Sequence, residues 1–88
     1  MASNEVTLQH EAGLHARPAA LFVKTASRFT SAITVRAGEK QANAKSIIQV
    51  LTLGARQGTT ITITAEGADE TDAVAALTSL VESNFAVE

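Results

Sequence analysis

Polar and apolar residues alternate along three stretches of the chain, and between them apolar positions recur at intervals of three and four. From Glu5 to Gln9, Val6 and Leu8 fall on one side and Thr7 and Gln9 on the other, which predicts a half-buried strand. From Ala16 to about Ser27, Ala19, Ala20, Phe22, Val23 and Ala26 form a helical stripe that leaves Lys24 and Arg28 outward. Pro18 falls in the first turn of that helix, where its missing N–H costs no hydrogen bond. Ser31 to Ala37 alternates again, with Ile33, Val35 and Ala37 inward. Gly38-Glu39 turns the chain, and Lys40 to Asn43 returns as a short polar edge strand.

Ser46 followed by a compact apolar segment and then Gly54 predicts a short capped helix over Ile47 to Leu53. Ile47, Ile48, Val50, Leu51 and Leu53 are too many apolar residues for one buried face, so some of Ile47, Ile48 and Leu51 are expected at the surface. Thr59 to Ala65 is the clearest strand, with Ile61, Ile63 and Ala65 alternating with threonines. Asp69 is expected to cap a last helix, with Glu70 and Asp72 in its first turn. Its apolar stripe runs Ala73, Val74, Leu77, Leu80, Val81 and Phe85, about four turns. The order β-α-β-β-α-β-α predicts an α+β two-layer open-faced sandwich: a four-stranded antiparallel sheet with three helices on one face. The threonines and charges on the other side of the strands imply a wet face. Residues 1–88 are expected to form a single domain.

Composition narrows the function. A 45% hydrophobic, 18% charged chain is an ordinary globular one. Without cysteine, thiol catalysis, disulfides and zinc–thiolate sites are excluded. No leader or membrane-length apolar run is visible, so a cytoplasmic protein is expected. The net charge of −2 conceals an asymmetry: all seven bases lie between Arg17 and Arg56, and six acids follow with no further base. A basic middle suits an acidic protein partner. Nucleic acid is not expected, because the bases are scattered and no aromatic platform accompanies them.

The candidate chemistry sits in Gly13-Leu14-His15-Ala16-Arg17-Pro18-Ala19. A helix start exposes unpaired N–H groups and a partial positive charge, which together favour an anion such as phosphate. The same field disfavours the imidazolium, so neutral His15 is available as a nucleophile near neutral pH. Arg17 supplies a cation for phosphoryl oxygens, and the backbone N–H groups of Ala16 and Arg17 complete a cradle. His10, at a strand exit, reads as an exposed side chain. The competing reading of His15 is a helix-capping ring beside a surface arginine.

That stretch resembles the active-site signature of the HPr family, the histidine phosphocarriers of the bacterial phosphotransferase system, and Lys45-Ser46-Ile47 through Leu53-Gly54 is similar to the family's second helix. The resemblance implies that enzyme I phosphorylates His15 on Nδ1 and that the group passes to sugar-specific IIA proteins. It assigns Arg17 to phosphoryl stabilisation and Lys24, Lys45, Ile47, Ile48 and Leu51 to partner contact. Ser46 is implied as a site for an HPr kinase/phosphorylase, whose product binds a catabolite-control transcription factor. No cofactor, no metal, no membrane contact and a monomeric carrier, itself not an enzyme, are expected. Two positions depart from the family pattern: Ala12 offers no side-chain hydrogen bond, and Gln49 stands where glycine is frequent. The nitrogen-related branch of the same system, a signalling role through Ser46 alone, and an interaction domain with an incidental histidine remain alternatives.

Overall fold

The computed structural model describes residues 1–9, 13, 16–83 and 85. The elements are β1 (Ala2–Thr7), α1 (Ala16–Ala26), β2 (Ala32–Ala37), β3 (Lys40–Asn43), α2 (Ile47–Thr52), β4 (Thr60–Glu66) and α3 (Glu70–Glu82). The sheet order is β1-β4-β2-β3, with every neighbouring pair antiparallel. β4 is central: Ile61 faces Val6 on one side, and Ile63 faces Val35 on the other. Ile33, Val35, Ala42, Ile61, Ile63 and Ala65 are buried under the helices together with Phe22, Val50, Leu77 and Val81. The expected open-faced sandwich is therefore the fold. On the wet face, paired hydroxyls meet across strands, Thr7 to Thr60 at 3.0 Å and Ser3 to Thr64 at 3.3 Å.

Four local expectations change. β1 begins at Ala2 rather than Glu5, because the ladder with β4 carries it across a polar inward position. Asn4 occupies that position and donates to Thr78 Oγ1 of α3 at 3.2 Å. Ala20 is exposed, and the buried stripe of α1 is Pro18, Ala19, Phe22 and Ala26; a methyl group gives periodicity little to distinguish the two faces. Asp69 stands at the start of α3 but does not cap it with its side chain. Its carboxylate instead accepts from Thr30 N–H (2.9 Å), Ser31 N–H (3.0 Å) and the Ser31 hydroxyl, closing the α1–β2 connection. These bonds stabilise the ionised form and hold the carboxyl at about 2, below its ordinary value of 3.8. Finally, α3 ends at Glu82. Phe85 reaches the core from beyond it, with φ of 61° and its N–H on the Leu80 carbonyl at 2.8 Å.

Candidate functional site

Helix α2 is short because its sequence starts and stops it within two turns. The Ser46 hydroxyl accepts from Gln49 N–H at 3.4 Å, and Ser46 itself is extended, as a helix-capping residue is. The Gln49 side chain does not return to Ser46; its Oε1 accepts from Asn43 N–H at 2.9 Å and ties the helix to β3. At the other end, Thr52 Oγ1 donates to the carbonyls of Ile48 and Gln49, each at 2.8 Å. Gly54 follows at φ of 65°. Val50 points into the core, leaving Ile47 (38% exposed), Ile48 (73%) and Leu51 (39%) on the surface, as the excess of apolar residues predicts.

Helices α1 and α2 pack against each other, and contacts at both ends set them running in opposite directions. Where α2 begins, Lys45 Nζ donates to the carbonyl of Phe29, just beyond the end of α1, at 2.7 Å. Where α2 has ended, Ala55 and Arg56 lie against Gly13, just ahead of α1. The apolar surface of α2 thus extends along the flank of α1, with Leu51 towards the end where α1 starts and Ser46 at the other. The exposed stripe of α1 carries Arg17, Ala20 and Lys24. Arg17 and Lys24 have no side-chain hydrogen bond or ion pair among the described residues, whereas Lys45 is half-buried with its ammonium held internally.

His15, His10 and Ala12 lie outside the described residues, as does the side chain of Ala16. What frames His15 is described. Gly13 is buried with φ of 61°, and a Cβ there would stand 2.5 Å from the Ala55 carbonyl oxygen and 2.6 Å from Arg56 Cα. Ala16 opens α1, so the N–H groups of Ala16 and Arg17 are among the four without a partner inside the helix. α1 has no acid in its first turn to compete with a bound anion. The approach of Arg56 to Gly13 was not predicted from the sequence, since residues 43 apart meet here only through the packing of the connection before β4. Among the described residues no three His, Asp or Glu side chains gather as metal ligands, and no helix is long and apolar enough to cross a membrane.

Arg17 and Lys24, without side-chain partners among the described residues, and the apolar side chains of α2 thus lie beside a helix start that can receive an anion. Residues 2–83 match the family described as the PTS HPr component phosphorylation site. The chain is 49% identical over 81 residues to the phosphocarrier protein HPr of Haemophilus influenzae, covering 92% of this chain and 95% of that one. The crystal structure of HPr-C-His from Thermoanaerobacter tengcongensis superposes with a TM-score of 0.96 at 48% identity, covering 100% of this chain and 99% of the other. A crystal structure of an HPr dimer from the same organism gives 0.79 at 47% identity, covering 99% and 100%. The chain belongs to the HPr family, the phosphocarriers of the phosphotransferase system.

Proposed function

We propose that this chain accepts a phosphoryl group on Nδ1 of His15 from phosphorylated enzyme I and delivers it to IIA proteins for sugar uptake. The observation that carries the reading is the exposed Ile47, Ile48 and Leu51 surface on the flank of α1, in a member of the HPr family. An apolar surface this open suits partners that must dock, exchange and leave. In the transfer, the Nδ1 lone pair of His15 forms a new P–N bond as the donor's bond to phosphorus breaks, and the bonding pair returns to the donor. Arg17 neutralises charge on the phosphoryl oxygens, helped by the unpaired N–H groups of Ala16 and Arg17. Lys24 supplies an exposed cation for acidic partner rims. The half-buried Lys45 ammonium, held by the Phe29 carbonyl, keeps further N–H donors for the same rims. The protein is a cytoplasmic monomer with no cofactor, not an enzyme: each molecule is consumed and regenerated as a phosphoryl donor. Incubation with phosphoenolpyruvate and enzyme I should add one acid-labile phosphoryl group, absent in His15→Ala. No gain in the wild type, or a gain that survives the substitution, refutes the assignment.

Ser46 supports a second, regulatory reading. Its hydroxyl is the cap of α2, and a phosphate there would sit at unpaired N–H groups and beside Ile47 and Ile48. Ser46 lies at the end of α2 away from Gly13, so its phosphate would act by spoiling the apolar docking surface, not by touching His15. HPr kinase/phosphorylase is the partner that would modify it, with a catabolite-control transcription factor reading the product. ATP and that kinase should give an acid-stable gain that Ser46→Ala abolishes; persistence in the variant places the modification elsewhere.

A further inference from the structure

We propose that Arg56 is a second phosphoryl-binding cation of this carrier, reaching the group on His15 from the connection between α2 and β4 while Arg17 reaches it from α1. The proposal rests on His15 being the phosphoryl acceptor. Four observations carry it. The backbone at Arg56 is fixed: its N–H donates to Thr59 Oγ1 at 3.1 Å, and its carbonyl accepts from Thr59 N–H at 3.0 Å. The same connection is tied to the strand that leads into the acceptor segment, through Gly58 N–H to the Leu8 carbonyl (2.7 Å) and Gln57 Nε2 to the Gln9 carbonyl (3.0 Å). Gly13 lies directly on it, at a separation that leaves no room for a Cβ. Lastly, the Arg56 side chain is exposed and has neither ion pair nor hydrogen bond among the described residues.

Covalent geometry supplies the remaining link. His15 is two residues beyond Gly13, and two residues span at most about 7 Å when fully extended. An arginine whose backbone touches Gly13 therefore starts close enough for its long side chain and the acceptor's own ring together to bridge that span. Arg17 is two residues past the acceptor on the other side. A phosphoryl group brings three acceptor oxygens and between one and two negative charges, more than one guanidinium neutralises. The fixed backbone limits the ordering cost of using Arg56 to its side chain.

The test compares wild type, Arg56→Gln, Arg56→Lys and Arg17→Ala after phosphorylation with phosphoenolpyruvate and enzyme I. Two quantities are read: the equilibrium partition of the phosphoryl group between enzyme I and this protein, and the pH titration of the phosphohistidine 31P resonance. Arg56→Gln is expected to move the partition towards enzyme I by about three- to tenfold, as loss of one charged contact at an accessible site would. It should also raise the titration midpoint of the phosphoryl group, with Arg56→Lys in between. An unchanged denaturation midpoint for Arg56→Gln separates this from a structural effect. A partition and 31P titration equal to wild type overturn the proposal, as does a variant whose only change is a salt-dependent KM for enzyme I, which would assign Arg56 to the partner's surface. Failure of the wild type to take up any acid-labile group refutes the His15 reading instead, so the two failures are distinct.

Discussion

Replacing Gly13 with alanine tests whether the chain at residue 13 is seated on the α2–β4 connection. Two terms set the magnitude. Placing a Cβ on a residue with positive φ costs about 1–2 kcal/mol, and alanine returns about 0.4–1 kcal/mol by restricting the unfolded chain. Gly54→Ala meets this conformational term alone: its φ is 65°, and nothing lies within 4 Å of the place its Cβ would take. Gly13 has nearly the same φ, 61°, but the new methyl would stand 2.5 Å from the Ala55 carbonyl oxygen and 2.6 Å from Arg56 Cα. Both are backbone atoms, and hydrogen bonds to Leu8, Gln9 and Thr59 keep that backbone from retreating. Forcing atoms into such a place adds about 1–3 kcal/mol. Gly13→Ala should therefore cost about 2–4 kcal/mol and Gly54→Ala about 1 kcal/mol or less. With a urea m-value of about 1 kcal/mol/M for a domain this small, the Gly13 variant should unfold some 2–4 M earlier than wild type and the Gly54 variant within about 1 M of it. Equal midpoints for the two variants would refute the reasoning, because the close approach is what distinguishes them. Phosphoryl uptake by the folded fraction of Gly13→Ala should also slow.

Three further outcomes follow from named contacts. Ile48→Ser should weaken docking, seen as a raised KM for enzyme I, with stability within about 0.5 kcal/mol of wild type because the side chain is 73% exposed. Arg17→Ala should slow phosphoryl transfer in both directions and leave the denaturation midpoint nearly unchanged, the side chain being exposed and unpaired among the described residues; unaltered kinetics would remove it from the site. The Asp69 carboxyl should titrate near 2 by carbon NMR against an ordinary 3.8. A depressed carboxyl pKa stabilises the fold fully above the unfolded value, so this contribution should fade as pH falls from about 4 to about 2 and be absent in Asp69→Ala.

Elements with strict alternation were readable from the chain itself: β2 and β4 carry Ile33, Val35, Ile61 and Ile63 inward as their spacing requires. The surplus of apolar residues in α2 likewise foretold that some of Ile47, Ile48 and Leu51 would be exposed, and all three are. The failures have a common source in polar side chains whose partners are remote in sequence. Asn4 falls ahead of the alternation that starts at Glu5, yet it lies in β1 with its side chain bonded to Thr78 of α3. Asp69 looks like a cap until the free N–H groups of Thr30 and Ser31 compete for its carboxylate. Lys45 looks like a free cation until the Phe29 carbonyl takes its ammonium. At the candidate site, the signature around residue 15 was legible because it is local. Arg56 was not, because only folding brings it to Gly13.

The pairing of β1 with β4 also sets when the carrier comes into being. Among the described residues, residues 2–7 pair in the sheet only with residues 60–65, and Gly13 has its seat at residues 55 and 56. On the ribosome the first strand and Gly13 are therefore made early and kept waiting, for several seconds at about 5–20 residues added per second. A nascent chain cut short before residue 55 would carry the entire Gly13–Ala19 sequence and still lack the backbone that Gly13 packs against. The sheet is thus complete only once residues 60–65 have been made and joined to residues 2–7.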